Sequence, residues 1–268
     1  MKVLATDTDV DGFFRMLGSA RAPVLALDYD GTLAPFTEDP SQAIAYPGVM
    51  PVLQRLIRHG TTRLIFITGR RIHDLLPLLE LDPMPEIWGA HGYEHRGPGA
   101  APIELALESN AQAFLDETTH ILAAAAPRAR IEHKPGSVAF HWRGKSSVEI
   151  AAIRQSLHEA WQDLPDHAGF RMTGFEGGLE FRAMQRNKGM ALKDSLRSSD
   201  QAAFLGDDLT DEDAFGVLEQ PHLPVLVRPE LRPTCARLWI EPPQELLGFL
   251  ELWERSLRPP RAGARIWK

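Results

Sequence analysis

The chain has 268 residues, enough for one large domain or two modest ones, and 44% of them are hydrophobic, an ordinary share for a protein with a real core. A net charge of −7 argues against a nucleic-acid surface, but not against small anionic substrates held by a local cationic pocket or a metal. The single cysteine, Cys235, excludes a disulfide framework, no apolar run approaches a membrane span, and the N-terminal "MKVLATDTDVDGFF" has acids where a secretory signal needs an apolar core. The expectation is a soluble, cytoplasmic protein with no nucleic-acid or membrane partner and an oligomeric state that the sequence leaves open.

The elements follow in chain order. "VLALD" (24–28) predicts a buried parallel strand, bounded by Pro23 and an acid–glycine turn. "GVMPVLQRLIRHG" predicts a helix with Pro47 at its start and Gly60 at its end. "RLIFIT" (63–68) is a second strand, "RIHDLLPLLE" a second helix and "EIWGA" (86–90) a third strand. Residues 105–126 predict a long helix. Two strand-like runs, "ARIEHK" and "SVAFHWR", follow, split by Pro135-Gly136. A helix near 147–163 leads to "FRMTGF" and "GLEFRAM", split by Gly177-Gly178. Alternation then resumes: helix "NKGMALKDSLR", strand "AAFLG" (202–206), helix "DEDAFGVLE", strands "LPVLV" and "ARLWI", and a final amphipathic helix in "PPQELLGFLELWERSL". The tail "RPPRAGARIWK" reads as a loose basic end. The fold class is therefore α/β: a Rossmann-like, doubly wound parallel sheet core (1–100 and 184–268) with an inserted smaller α+β cap domain (101–183).

Ligands of such a sheet bind beyond the carboxyl ends of its strands. There "VLAL" delivers Asp28 and, two residues on, Asp30; "LIFI" delivers Thr68 and Arg70; "AAFLG" delivers Asp207, Asp208 and Asp211. Lys188 opens a helix, where free N–H groups already favour an anion. Several carboxylates in one cleft repel one another, and a hard divalent cation, Mg²⁺, relieves this. The metal set is Asp28, Asp30 and Asp207, with Asp208 and Asp211 in support. The chemistry that fits is phosphoryl transfer through an aspartyl-phosphate. In it Asp28 is the nucleophile, Asp30 the acid and then base, and Thr68, Lys188 and Arg70 the phosphate holders.

Period-two alternation in the cap puts Glu132 and Lys134 on one face, with Ile131 and His133 on the other. Val138, Phe140 and Trp142 line an apolar face with His141 and Arg143 opposite; Leu179 and Phe181 likewise face away from Glu180 and Arg182. A polar face of this kind suits sugar hydroxyls.

"DYDGT" (28–32), "ITGR" (67–70), Lys188 and "GDDLTDED" (206–213) together resemble the four motifs of the haloacid dehalogenase superfamily, in their usual order. More narrowly, "LDYDGTLAPF", "GAHGYE", "IEHKPGSVAFHWR", "LEFRAMQRNKG" and "GDDLTDEDAF" are similar to the trehalose-6-phosphate phosphatase family. That resemblance implies a Mg²⁺-dependent phosphatase for a phosphorylated disaccharide, with Glu132, Lys134 and Glu180 gripping the sugar and His141 and Arg143 as further candidates. Two positions depart from the family's pattern. Thr68 stands where Ser is more usual, and Ala183 follows Arg182 where Pro is usual. The alternatives keep the chemistry but change the substrate to another phosphorylated disaccharide, pseudo-disaccharide or glycosyl-glycerate, or drop catalysis in favour of a phosphate-binding or regulatory module. Intact Asp30 and Lys188 argue against that last reading.

Overall fold

A computed structural model describes residues 1–257 except 38, 128, 163, 165–168, 176 and 199. The basic tail therefore lies outside the described residues. In chain order the first elements are β1 (Lys2–Val3), α1 (Val10–Leu17), β2 (Val24–Leu27), α2 (Val49–His59), β3 (Arg63–Ile67), α3 (Ile72–Leu75), β4 (Glu86–Gly89), β5 (Glu94–Arg96) and β6 (Ile103–Glu104). The middle of the chain forms α4 (Ser109–Ala125), β7 (Arg130–Lys134), β8 (Ser137–His141), α5 (Ser147–Gln162), β9 (Phe170–Phe175) and β10 (Gly178–Ala183). The chain then gives α6 (Lys188–Ser195), β11 (Ala202–Gly206), α7 (Glu212–Phe215), β12 (Leu223–Val227), β13 (Leu238–Ile240) and α8 (Gln244–Ser256).

Strands β2, β11 and β12 are buried at every position, which explains their unbroken apolar sequence: a parallel strand covered on both faces has no solvent side. They belong to a nine-stranded sheet of order β1-β13-β12-β11-β2-β3-β4-β5-β6, parallel from β13 to β4. Helices α1, α2 and α8 pack one face through Phe13, Leu17, Leu53, Leu56, Phe249 and Trp253. The other face is covered from α6 and α7 by Ala191, Leu192, Ala214 and Phe215. From β2 the chain winds to β3 and β4 in one direction and, after the insertion, through β11, β12 and β13 in the other. The strand order reverses between β2 and β11, and such a reversal opens a crevice at the carboxyl ends of the two strands.

The insertion forms its own antiparallel sheet, β7-β8-β10-β9. Val138, Phe140 and Phe181 on one face pack against Leu115 and Leu122 of α4 and Ile153 and Leu157 of α5. Phe170 stacks on Phe181 with ring centroids 5.2 Å apart and also packs against a small cluster of Ala90, Tyr93 and Ala183, so the apolar cluster of the inserted sheet meets the large domain at that edge. No helix among the described residues is long and apolar enough to cross a membrane.

Several local expectations need correction. Helix α2 begins at Val49, not at Pro47, because Gly48 takes a left-handed N-cap conformation with φ 90°. The helix expected over "RIHDLLPLLE" is one α turn followed by a 3-10 turn, since Pro77 cannot donate a helical hydrogen bond. That expected over "DEDAFGVLE" stops before Gly216. Helix α1 has no counterpart among the expected elements, although Asp9 caps it by accepting from the Gly12 N–H at 2.7 Å. The large sheet also runs on through β5 and β6 to Glu104, past the boundary expected at residue 100.

Candidate active site

Backbone geometry at the crevice brings the acids together. Asp28 follows β2 and Asp207 follows β11, neighbouring parallel strands whose ends stand side by side. Gly31 has φ +80°, and a Cβ there would lie 2.2 Å from Asp207 Oδ2, so only glycine lets the two loops close. Gly206 does the same for Asp211, whose carboxyl carbon would lie 2.4 Å from an added Cβ. Thr32 Oγ1 is 3.5 Å from Asp28 Oδ2 and 3.4 Å from Asp207 Oδ1, bridging the pair. Asn187 caps α6 by accepting from the Met190 N–H, which fixes Lys188 at the first helical position. The Lys188 ammonium then reaches Asp28 Oδ1 at 2.9 Å and Asp211 Oδ1 at 2.7 Å.

Asp28, Asp207 and Asp211 form a buried acidic triad whose oxygens lie within 4.8 Å of one another. Burial raises all three carboxyl pKa values, and repulsion from neighbouring carboxylates, Asp208 in the case of Asp211, adds to it; Asp28 is pushed up to about 7 despite Lys188. Burial alone would lower Lys188, but Asp211 and Asp28 overcome it and hold the ammonium charged. Three carboxylates against one ammonium leave a local deficit of two positive charges. That deficit, together with an all-oxygen donor set, fits a hard divalent cation such as Mg²⁺.

The five acids assigned to the metal divide into distinct roles. Asp211 spends both oxygens on the protein: Oδ1 accepts from Lys188, and Oδ2 accepts from the N–H groups of Asp207 (3.0 Å) and Asp208 (2.9 Å). It shapes the loop, leaving Asp28 and Asp207 as the pair able to offer oxygens. Asp208 caps the following 3-10 turn through the Leu209 N–H. Asp30 stands apart in a bidentate pair with Arg70, at 2.5 Å for both contacts. Arg70 also donates to the Pro40 carbonyl at 2.8 Å. Asp30 and Arg70 thus face the crevice as a unit, and acid–base work by Asp30 requires one of its oxygens to leave the guanidinium. Buried Thr68 accepts from the Arg70 N–H at 3.1 Å, and its hydroxyl proton is available to another acceptor.

Across a cavity of about 590 Å³ the cap presents its polar face to this cluster. The strand registers place Glu132, Ala139 and Glu180 in one row, as alternation predicted. Lys134 Nζ lies 3.4 Å from Glu180 and 3.9 Å from Glu132, while His141 contacts Glu132 at 2.7 Å. Glu132, Lys134, His141, Arg143 and Glu180 all line the cavity, as do Asp28, Asp30, Thr68, Arg70 and Lys188. The volume lies within the range of small-molecule sites, roughly 300–1,000 Å³.

The Lys134 charge, with hydrogen bonds from His91 and His141, keeps the cap acids ionised. Burial would raise Glu180, but Lys134 and His91 hold it well below the usual carboxylate range; in Glu132, His141 and Lys134 likewise outweigh burial. Burial moves His91 the other way, down to about 4, against the pull of Glu180. Both shifts give stability the same pH slope. A carboxylate with a depressed folded pKa stabilises above its unfolded value and loses that contribution as pH falls. An imidazole with a depressed folded pKa costs stability progressively as pH falls from about 6.5 to 4, approaching about 3 kcal/mol for His91. The raised carboxyls of Asp28, Asp207 and Asp211 slope the other way, because the folded state takes up their protons first, so the share of His91 and Glu180 is read as a difference. The melting temperature of the wild type minus that of His91→Asn should fall between pH 7 and pH 4, and a constant difference would contradict this electrostatic account.

Two residues gain roles that the sequence pattern does not show, and a third, Arg182, expected on the polar face of the cap, is drawn into the protein. Thr32 closes the "DYDGT" motif, where nothing in the spacing shows that its hydroxyl meets both Asp28 and Asp207. Arg232 donates to the Asp207 carbonyl at 3.2 Å and the Asp208 carbonyl at 2.7 Å and pairs with Glu212, clamping the acidic loop from behind. It sits in a loop with no recognisable pattern. Arg182 is buried with Asp213 at 3.8 Å as its ion-pair partner.

Comparison with known proteins gives one consistent picture. A family model described as Trehalose-phosphatase matches residues 26–234. The chain is 30% identical over 259 residues to a trehalose-phosphate phosphatase of Mycobacterium tuberculosis, covering 89% of this chain and 63% of that protein. It is 28% identical over 252 residues to the trehalose 6-phosphate phosphatase RA3 of Zea mays, covering 85% and 68%. The chain therefore spans less than two thirds of the length of its mycobacterial relatives. Among solved structures, the C-terminal domain of a Candida albicans trehalose-6-phosphate phosphatase superposes with TM-score 0.77 at 20% identity, over 94% of this chain and 99% of that one. A trehalose-6-phosphate phosphatase related protein gives TM-score 0.66 at 24% identity, over 87% and 97%. At these identities the structural likeness carries the fold.

Proposed function

This chain belongs to the trehalose-phosphatase family, and from that premise we propose that it hydrolyses trehalose 6-phosphate to trehalose and phosphate with Mg²⁺ as cofactor. The observation that carries the reading is the pairing, across one cavity, of a buried acid–ammonium cluster able to handle a phosphate with a polar cap face able to grip a sugar. Asp28 is the nucleophile: it ends a rigid central strand, and Lys188 holds one of its oxygens. Lys188 and Thr68 receive the phosphoryl oxygens. Asp30, released in part by Arg70, protonates the leaving sugar oxygen and then takes a proton from the water that attacks the aspartyl-phosphate. Asp28 and Asp207 would hold the Mg²⁺, which supplies charge neutralisation for the transferring phosphoryl group. Glu132, Lys134 and Glu180 bind sugar hydroxyls and so position the phosphate for attack. Cytoplasmic location belongs to the same reading.

A panel of sugar phosphates tests the substrate. Trehalose 6-phosphate should exceed glucose 6-phosphate in kcat/KM by at least about tenfold, the discrimination expected when a second sugar ring makes its own polar contacts. Preference for glucose 6-phosphate or a glycosyl-glycerate phosphate would refute the assignment and leave the phosphatase chemistry standing. Glu180→Ala should lower the ratio of trehalose 6-phosphate to aryl phosphate turnover by about tenfold or more, because only the sugar substrate meets that carboxylate.

A further inference from the structure

His91 belongs to the core, yet its side chain reaches the cap. It follows β4 in a turn where Ala90 (φ 46°) and His91 (φ 55°) are both left-handed, a conformation that non-glycine residues adopt only when the surroundings impose it. Two hydrogen bonds impose it here. The Ala90 N–H donates to the Arg70 carbonyl at 2.7 Å, and the His91 N–H donates to the Thr68 carbonyl at 3.0 Å. The turn is thus fastened to the loop that carries Thr68 and Arg70. The imidazole packs over Gly69, where an added Cβ would lie 2.6 Å from His91 Cε1. Its Nε2 meets Glu180 Oε2 at 3.0 Å.

An imidazole against an ionised carboxylate donates through the contacting nitrogen. His91 Nε2 therefore carries the proton, and Nδ1, buried and without a hydrogen-bond partner, does not. The Glu180 carboxylate has two further donors, Ser137 Oγ at 2.8 Å and Lys134 Nζ at 3.4 Å, both on Oε1. A carboxylate offers about four acceptor positions. Three are taken by the protein, which fixes the group in space and leaves about one for a ligand hydroxyl. Ser137 and Lys134 belong to the cap; His91 is the donor that ties the carboxylate to the core.

We propose that His91 is a positioning residue of the sugar site: anchored on the Thr68–Arg70 loop, it orients Glu180 and so couples recognition of the sugar to the loop that holds the phosphate. This rests on the reading of Glu180 as a sugar ligand and of the Thr68 loop as a phosphate site. A buried contact in an otherwise inert hinge would be replaceable by any residue that preserves the turn. A positioning contact demands a donor at the Nε2 position.

The test compares His91→Asn, whose side chain tolerates the left-handed backbone but is too short to reach Glu180, with His91→Gln, whose amide can take the place of Nε2. The sugar substrate is whichever one the wild-type enzyme prefers in the panel above, so a wrong disaccharide assignment does not compromise the measurement. His91→Asn should lower the ratio of sugar-phosphate to aryl-phosphate kcat/KM by about 10- to 100-fold, the loss expected for a hydrogen bond to a charged group, and His91→Gln should recover most of it. In a Glu180→Ala background the same His91→Asn change should leave that ratio where Glu180→Ala alone put it. Ser137→Ala, which removes another donor to the same carboxylate without touching the turn, should shift the ratio in the same direction. Equal losses for both substrates, no recovery with glutamine, or additivity with Glu180→Ala would each overturn the proposal.

Discussion

Asp28→Asn is expected to reduce turnover by at least about a thousandfold while leaving the fold intact, because an amide cannot form the covalent acyl-phosphate. The expected stability change has the opposite sign to the usual one for a buried polar residue. Asp28 is buried, its ionisation opposed by burial and by Asp211 and Asp30. Lys188 keeps Asp211 at 2.7 Å as an ion partner after the change, so no buried ammonium is orphaned. Removing one of three crowded carboxylates should hold or raise the melting temperature, by up to about 3 °C for a relief near 1 kcal/mol. Loss of activity without loss of stability is the signature of a group placed for chemistry at the expense of the fold. A variant retaining more than a few per cent of activity would show that another group attacks. A variant that unfolds would show that Asp28 is structural.

The core fold was legible because its physics is local. A strand covered on both faces must be apolar throughout, so β2, β3 and β11 announce themselves. The acids that follow them fall at the one edge where a doubly wound sheet binds ligands. The cap faces were legible for a similar reason: alternation has period two, and Glu132, Lys134 and Glu180 do share a face. What escaped was set by tertiary context. Helix α1 is short, and its capping Asp9 reads as one acid among several. Strands β5 and β6 are only three and two residues long, below any periodic signal.

The division of labour among the acids was the least legible part of the site. "GDDLTDED" offers five carboxylates, and spacing alone cannot say which faces a cation. The hydrogen bonds decide it. Asp211 is consumed by two backbone N–H groups and Lys188, Asp208 by a turn, and Asp207 is left facing Asp28. The partner of Asp30 was hidden for the same reason. Arg70, read as a phosphate ligand, is held here by Asp30 and the Pro40 carbonyl, residues far from it in sequence.

Those assignments lead to the second large effect, that of metal removal. Exhaustive chelation should lower phosphatase activity by at least about a hundredfold, and Mg²⁺ should restore it. Between Asp28, Asp207 and Asp211, one ammonium balances three carboxylates, and a phosphate dianion entering that cluster would meet net repulsion. The same cation should raise the melting temperature of the protein in the absence of substrate, since it binds the folded cluster and not the unfolded chain. The thermal shift separates metal affinity from catalysis and sorts the acids. Asp207→Asn should abolish most of the Mg²⁺-dependent shift while the metal-free protein melts no lower than the wild type, because it removes an oxygen donor and some repulsion together. Asp211→Asn should instead lower the melting temperature of the metal-free protein, because it weakens the bond to Lys188 and the two backbone contacts that shape the loop. Full activity after chelation, or a thermal shift lost in Asp211→Asn and kept in Asp207→Asn, would reverse the assignment of ligand and scaffold.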